Sequence, residues 1–210
     1  MNYPPMYRIQ QKFDKRSVED FAGEVRRECA RLDLGKKVKP DQKVAIAVGS
    51  RGINNLEAIV ATVVECVRNM GLKPFILPAM GSHGGATAEA QAAVLKELGI
   101  TDSSVGAPII SSMDVVSVGR LGSGLDVLIS KDALEADHLV VISRVKPHTA
   151  FRGEVESGLC KMLTVGCGKH KGALNIHRSG LAASIVPATQ ILLEKAPVLC
   201  GLAIVENALE

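Results

Sequence analysis

The stretch KVAIAVGSRG, Lys43 to Gly52, decides the fold class. After Lys43 come five apolar residues, each alanine or β-branched, and they run straight into a glycine turn. From about Asn55 to Met70 apolar residues then recur at helical spacing, so a strand is followed by a helix. The pattern repeats at PFILPA, Pro74 to Ala79, which leads through Gly81-Ser82-His83-Gly84-Gly85 into a helix from Thr87 to Leu98 that Gly99 stops. Two consecutive strand–helix steps favour a parallel sheet, because parallel strands need a crossover and a helix supplies it. HLVVISRV, His138 to Val145, is the most apolar strand candidate and ends at Lys146-Pro147-His148. The expected fold is α/β, a Rossmann-like, mostly parallel sheet flanked by helices.

Working outward, Arg8 to Phe13 reads as a short strand, and Ser17 as the cap of a helix with Val18, Phe21, Val25, Cys29 and Leu32 on one face. Val115 to Arg120 and Leu125 to Ser130 flank Gly122-Ser123-Gly124 as a hairpin. Gly153 to Gly172 is punctuated by glycine and holds a short helix around Ser157 to Val165. Leu181 to Glu194 is a further helix, and VLCGLAIV, Val198 to Val205, a last buried strand. No repeat or low-complexity linker divides the chain, so residues 1–210 read as a single domain.

Composition narrows the function. The formal charge of +3 arises from 25 basic and 22 acidic side chains spread along the chain, and aromatics make up 3% with no Trp. Nucleic acid is disfavoured, since neither a basic stripe nor stacking platforms are present. No apolar stretch reaches the ~18 residues of a membrane span. Five widely spaced cysteines and no secretory leader fit reduced thiols, so a cytoplasmic location is expected.

Three polar clusters follow three apolar strands: Ser50-Arg51, Ser82-His83 and Lys146-Pro147-His148. In an open parallel sheet all three project from one carboxyl edge, where ligands bind. A guanidinium matches a carboxylate, and imidazoles titrating near pH ~6.5 give or take protons, so the trio suits proton transfer on a small carboxylate. A histidine in such a loop equally often caps a backbone carbonyl, and it is the convergence that favours a site. A second cluster runs from Arg152 through Lys161 and Gly166-Cys167-Gly168-Lys169-His170-Lys171-Gly172 to His177. Its glycines suggest backbone close to a phosphate or cofactor, although the phosphate-loop spacing is absent. Lys169 and Lys171 read as solvated surface.

Taken together, Lys146-Pro147-His148, the glycine- and serine-containing stretch after it, Lys161, and His177 sixteen residues later resemble the signature of the nickel-dependent lactate racemase family. The likeness extends upstream to His83 in GSHGG and Arg51 in VGSRG, over roughly residues 40 to 180. It implies the N-terminal domain of a two-domain enzyme, an isomerase that racemises or epimerises a 2-hydroxy acid by hydride transfer. The cofactor implied is a nickel-pincer nucleotide, tethered by Lys161 as a thioamide and ligated through nickel by His177. His83 and His148 would be the acid/base pair and Arg51 the carboxylate partner. Implied partners are the small hydroxy acid and the cofactor-making proteins, with homo-oligomerisation left open. Val48 stands where the family motif carries Asp, which implies a substrate other than lactate. A C-terminal domain with a substrate-binding lysine is also implied; 210 residues leave no room for it, so this chain alone is expected to be inactive. The other reading of the residues is a nucleotide- or phosphate-binding module without redox chemistry.

Overall fold

A computed structural model describes residues 4–13, 15–149, 151–153 and 155–208. Strand β1 (Lys43–Val48) leads through helix α2 (Leu56–Asn69) to β2 (Lys73–Pro78); helix α1 (Phe21–Arg31) precedes them, and α3 (Ala88–Glu97) and the single turn α4 (Asp102–Val105) follow. β3 (Val115–Arg120) and β4 (Asp126–Ser130) pair as a separate antiparallel hairpin. After the short α5 (Lys131–Glu135), β5 (His138–Arg144) returns to the main sheet. There follow α6 (Leu159–Lys161), a π turn (Met162–Gly166), α7 (Lys169–Arg178), α8 (Leu181–Lys195) and β6 (Val198–Ile204).

The main sheet runs β2-β1-β5-β6, every pair parallel. β1, β2 and β5 read as unbroken apolar runs because both faces are covered. β6, expected as a buried strand, is not: it forms the sheet edge beside β5, none of its residues is fully buried, and Gly201 and Ala203 are exposed. Side chains alternate between two cores. Val44, Ile46 and Val48 face α2 with Ile76, Val140 and Ile142. Ala45 and Ala47 face the hairpin, α7 and α8 with Leu77, Leu139, Val141, Ile129 and Leu192. From β1 the chain goes first to β2 on one side and later to β5 on the other. The direction therefore switches between β1 and β5, where the loops part and open a crevice at the carboxyl edge.

Several expectations are corrected. Arg8 to Phe13 forms no strand: with no neighbouring edge to pair with, its apolar residues stay exposed. α1 begins at Phe21, capped by Asp20, whose carboxylate accepts from the Gly23 amide at 2.8 Å; Ser17 lies upstream. The short helix expected around Ser157 to Val165 is present as α6 and the π turn, but helix then continues through the glycine-rich run as α7. Gly166 and Gly168 are there for close packing, since a Cβ would sit 2.6 Å from the Ala79 carbonyl oxygen and 2.5 Å from that of Thr164. Lys169, expected at the surface, is fully buried. Among the described residues no helix is long and apolar enough to cross a membrane.

Candidate active site

A cavity of about 390 Å³ opens at the carboxyl edge of the sheet, at the switch point. The loop after β1 brings Ser50 and Arg51 to it, the loop after β2 brings His83, the loop after β5 brings Lys146 and His148, and α6 brings Lys161. Because β1 lies between β2 and β5, the two histidine loops flank the loop of Arg51.

His83 begins a tight turn whose Gly84 and Gly85 both lie at positive φ, near +61° and +62°. The turn is held from below. Gln91 of α3, fully buried, donates through Nε2 to the carbonyls of Gly81 at 2.9 Å and His83 at 3.2 Å. On the ring itself, Nδ1 lies 2.5 Å from Ser50 Oγ. Partial burial, then Arg51 and Lys161, push this imidazole below its ordinary pKa.

His148 is fixed through its backbone and its ring. Glu156 accepts from the His148 amide at 2.7 Å and from the Gly153 amide at 3.1 Å, and these donors hold its carboxyl below the usual range. The ring lies against Phe151, with centroids 4.4 Å apart. Nε2 is 2.9 Å from Lys161 Nζ. Desolvation, Lys161, Lys146 and, more weakly, His177 lower the His148 pKa, while Glu156 opposes them. Lys161 is itself pushed below its ordinary value, by burial first and then by Arg51 and Lys146. Both imidazoles are therefore neutral at pH ~7 and able to accept protons.

His177, near the end of α7, does not line the cavity. Its Nδ1 donates to the Ala173 carbonyl at 2.6 Å, so Nε2 is the ring nitrogen that would face a metal. Among the described residues no group of three or more His, Cys, Asp or Glu is placed to hold a metal ion, and a metal at His177 would need donors from outside the chain.

Gln91 and Glu156 are the supporting residues that sequence reasoning missed. A glutamine on an otherwise small-residue helix carries no periodic signal, and Glu156 was legible only as a charge inside a glycine-rich loop. Lys171 is exposed and away from the cavity, and Lys169 points inward to the Pro78 carbonyl at 2.5 Å. Neither lysine of the supposed phosphate loop reaches the cavity.

No curated protein matches the chain. Residues 12–184 do match the family model described as the lactate racemase N-terminal domain, a span that includes Arg51, His83, His148, Lys161 and His177. A parallel α/β sheet with its cavity at the switch point agrees with that match, and the chain belongs to the lactate racemase N-terminal domain family.

Proposed function

We propose that this chain is the reaction-site domain of a racemase or epimerase of a 2-hydroxy acid, completed by a second domain, that works with a lysine-tethered nickel-pincer nucleotide. The family is one of racemases acting on a small hydroxy acid. What carries the finer reading is the pair of depressed imidazoles, His83 and His148, on loops either side of the Arg51 loop.

The residues fit the cofactor. Lys161 presents an amine of lowered pKa at the cavity wall, as an acyl anchor requires. His177 keeps an imidazole lone pair available, and neutral imidazole suits nickel. When bound, the group supplies a reversible hydride acceptor. The chain's own residues do the rest. Arg51 pairs with the substrate carboxylate. One neutral histidine takes the hydroxyl proton, and its counterpart serves the oxygen when the substrate lies the other way round, so that both are needed for inversion. Burial of the cavity floor by Met80 and Ile142 limits water at the reacting carbon.

Val48, where the family motif has Asp, is 1% exposed and packs into the core, so no carboxylate orients Arg51 from that position. A substrate other than lactate follows. The test is co-expression of the complete protein with the cofactor-making proteins, followed by intact mass and chiral chromatography of a panel of hydroxy acids. A covalent mass increase lost in Lys161→Ala is expected, with nickel but not the adduct reduced in His177→Ala. An adduct that persists without Lys161, or no turnover of any 2-hydroxy acid, overturns the reading; lactate as best substrate overturns the specificity.

A further inference from the structure

Lys161 sits beside two positive side chains of the cavity, Arg51 on the β1 loop and Lys146 on the β5 loop. The imidazoles of His83, on the β2 loop, and His148, on the β5 loop, feel its charge in turn, and His177 on α7 lies near enough to act on His148. The nearest carboxylate of the group, Glu156, has its oxygens engaged by the backbone amides of His148 and Gly153. Within this surround Lys161 Nζ lies 2.9 Å from His148 Nε2. An ammonium only donates, so Nε2 is the acceptor and already lies on the path of the departing proton. Two cations in contact repel, so the pair holds one proton rather than two.

We propose that His148 and Lys161 form an amine-activating pair that condenses with small anionic carbonyl compounds: His148 takes the ammonium proton while Lys161 attacks, and Arg51 and Lys146 draw in the ligand's carboxylate. The inference deepens the reading above, since the amine so activated is the one that would carry the cofactor, yet the reaction itself needs no cofactor. With glyoxylate as ligand, the proton on Nζ passes to His148 Nε2 and the freed lone pair forms a C–N bond to the aldehyde carbon. The carbonyl π pair moves to oxygen, which takes up a proton as nitrogen gives one to solvent. A further proton on that oxygen lets it leave as water, and loss of the last N–H proton leaves an imine. Added cyanoborohydride delivers hydride to the imine carbon, the solvent protonates nitrogen, and a stable carboxymethyl-lysine remains.

The experiment treats the chain with glyoxylate and cyanoborohydride at pH ~7 and follows each lysine by peptide mass spectrometry. Lys171, exposed on α7, is the internal clock for an ordinary lysine. Lys161 should label at least tenfold faster than Lys171, in keeping with the ~10²- to 10⁴-fold typical of acid–base assistance. His148→Gln, which keeps an oxygen acceptor towards Lys161 but cannot take its proton, should remove most of that advantage while the Lys171 rate stays constant. Raising the pH should bring the Lys161 rate of this variant towards that of the parent at the same pH, because hydroxide then removes the proton instead. A purely structural role for His148 would alter neither the pH profile nor the ratio. Equal rates at Lys161 and Lys171, or an unchanged ratio in His148→Gln, overturn the proposal. Fast, His148-dependent labelling with no pincer adduct on co-expression would leave the pair standing and remove the cofactor reading; an adduct with slow, His148-independent labelling would do the reverse.

Discussion

At the scale of single residues, the cavity is organised by cations that suppress protonation of their neighbours. Arg51 lowers the His83 pKa, so Arg51→Gln should raise the His83 titration midpoint towards the ordinary value of ~6.5. Glu156 acts in the opposite sense on His148, and Glu156→Gln should lower that midpoint further. Both shifts are readable by imidazole NMR across a pH titration. The sign carries over to stability. A histidine whose folded pKa is depressed costs nothing above ~6.5, where both states are neutral, and favours unfolding as pH falls below that value. Arg51→Gln should therefore lessen the loss of stability between pH ~6.5 and ~5, and pH-dependent thermal unfolding measures it. Gln91 is a different kind of support. Gln91→Met leaves the Gly81 carbonyl without its donor and the His83 carbonyl with the Ala86 amide alone, and should cost roughly 1–3 kcal/mol in denaturant unfolding. Arg51, His83 and His148 were legible as a convergent set because each follows an apolar strand. Their supports were not, because a hydrogen bond from a helix to a loop leaves no pattern in composition or spacing.

At the scale of elements, the sheet strands and the short helix around Ser157 to Val165 were legible, whereas the strand expected at Arg8 to Phe13 does not form and α7 was not foreseen. β1, β2 and β5 are apolar runs bounded by turn residues, a signal that survives burial on both faces, and β6 carries the same signal at the half-exposed edge. α7 hides behind Gly166, Gly168 and Gly172, which suggest a loop. Their use is proximity: the π turn and the start of α7 lie against the Ala79, Thr164 and Leu128 carbonyls with no room for a methyl group between. The Cys167 amide reaches back to the Met162 carbonyl at 2.8 Å, the five-residue spacing that widens this turn. Gly166→Ala would put a Cβ 2.6 Å from the Ala79 oxygen, so helix and strand edge must part. Since that helix carries Lys161 and that edge leads to His83, the variant should lower both the unfolding temperature and the Lys161 labelling rate. A variant as stable and as reactive as the parent would show that the packing is not needed.

At the scale of the whole molecule, the switch between β1 and β5 places the cavity, and the two-faced core holds the switch. Ile46 lies in the middle of β1 with no exposed surface. Ile46→Ala should cost about 2–5 kcal/mol by the lost transfer and the cavity left behind, measured by urea unfolding. Consecutive strand–helix steps made this architecture legible, whereas the position of β6 beside β5 required a tertiary fact: nothing local in VLCGLAIV says which strand it pairs with. Among the described residues one lysine, arginine, aspartate or glutamate is buried. Lys169 is wholly enclosed, at a positive φ of 54°, with its ammonium on the Pro78 carbonyl, while Lys171 on the same helix is open to solvent. Two amines two positions apart in the chain thus differ sharply in accessibility. An acylating reagent reaches the first only when α7 lifts from the sheet, so the ratio of their modification rates is a strain gauge, written into the chain, for the seating of the helix that bears His177.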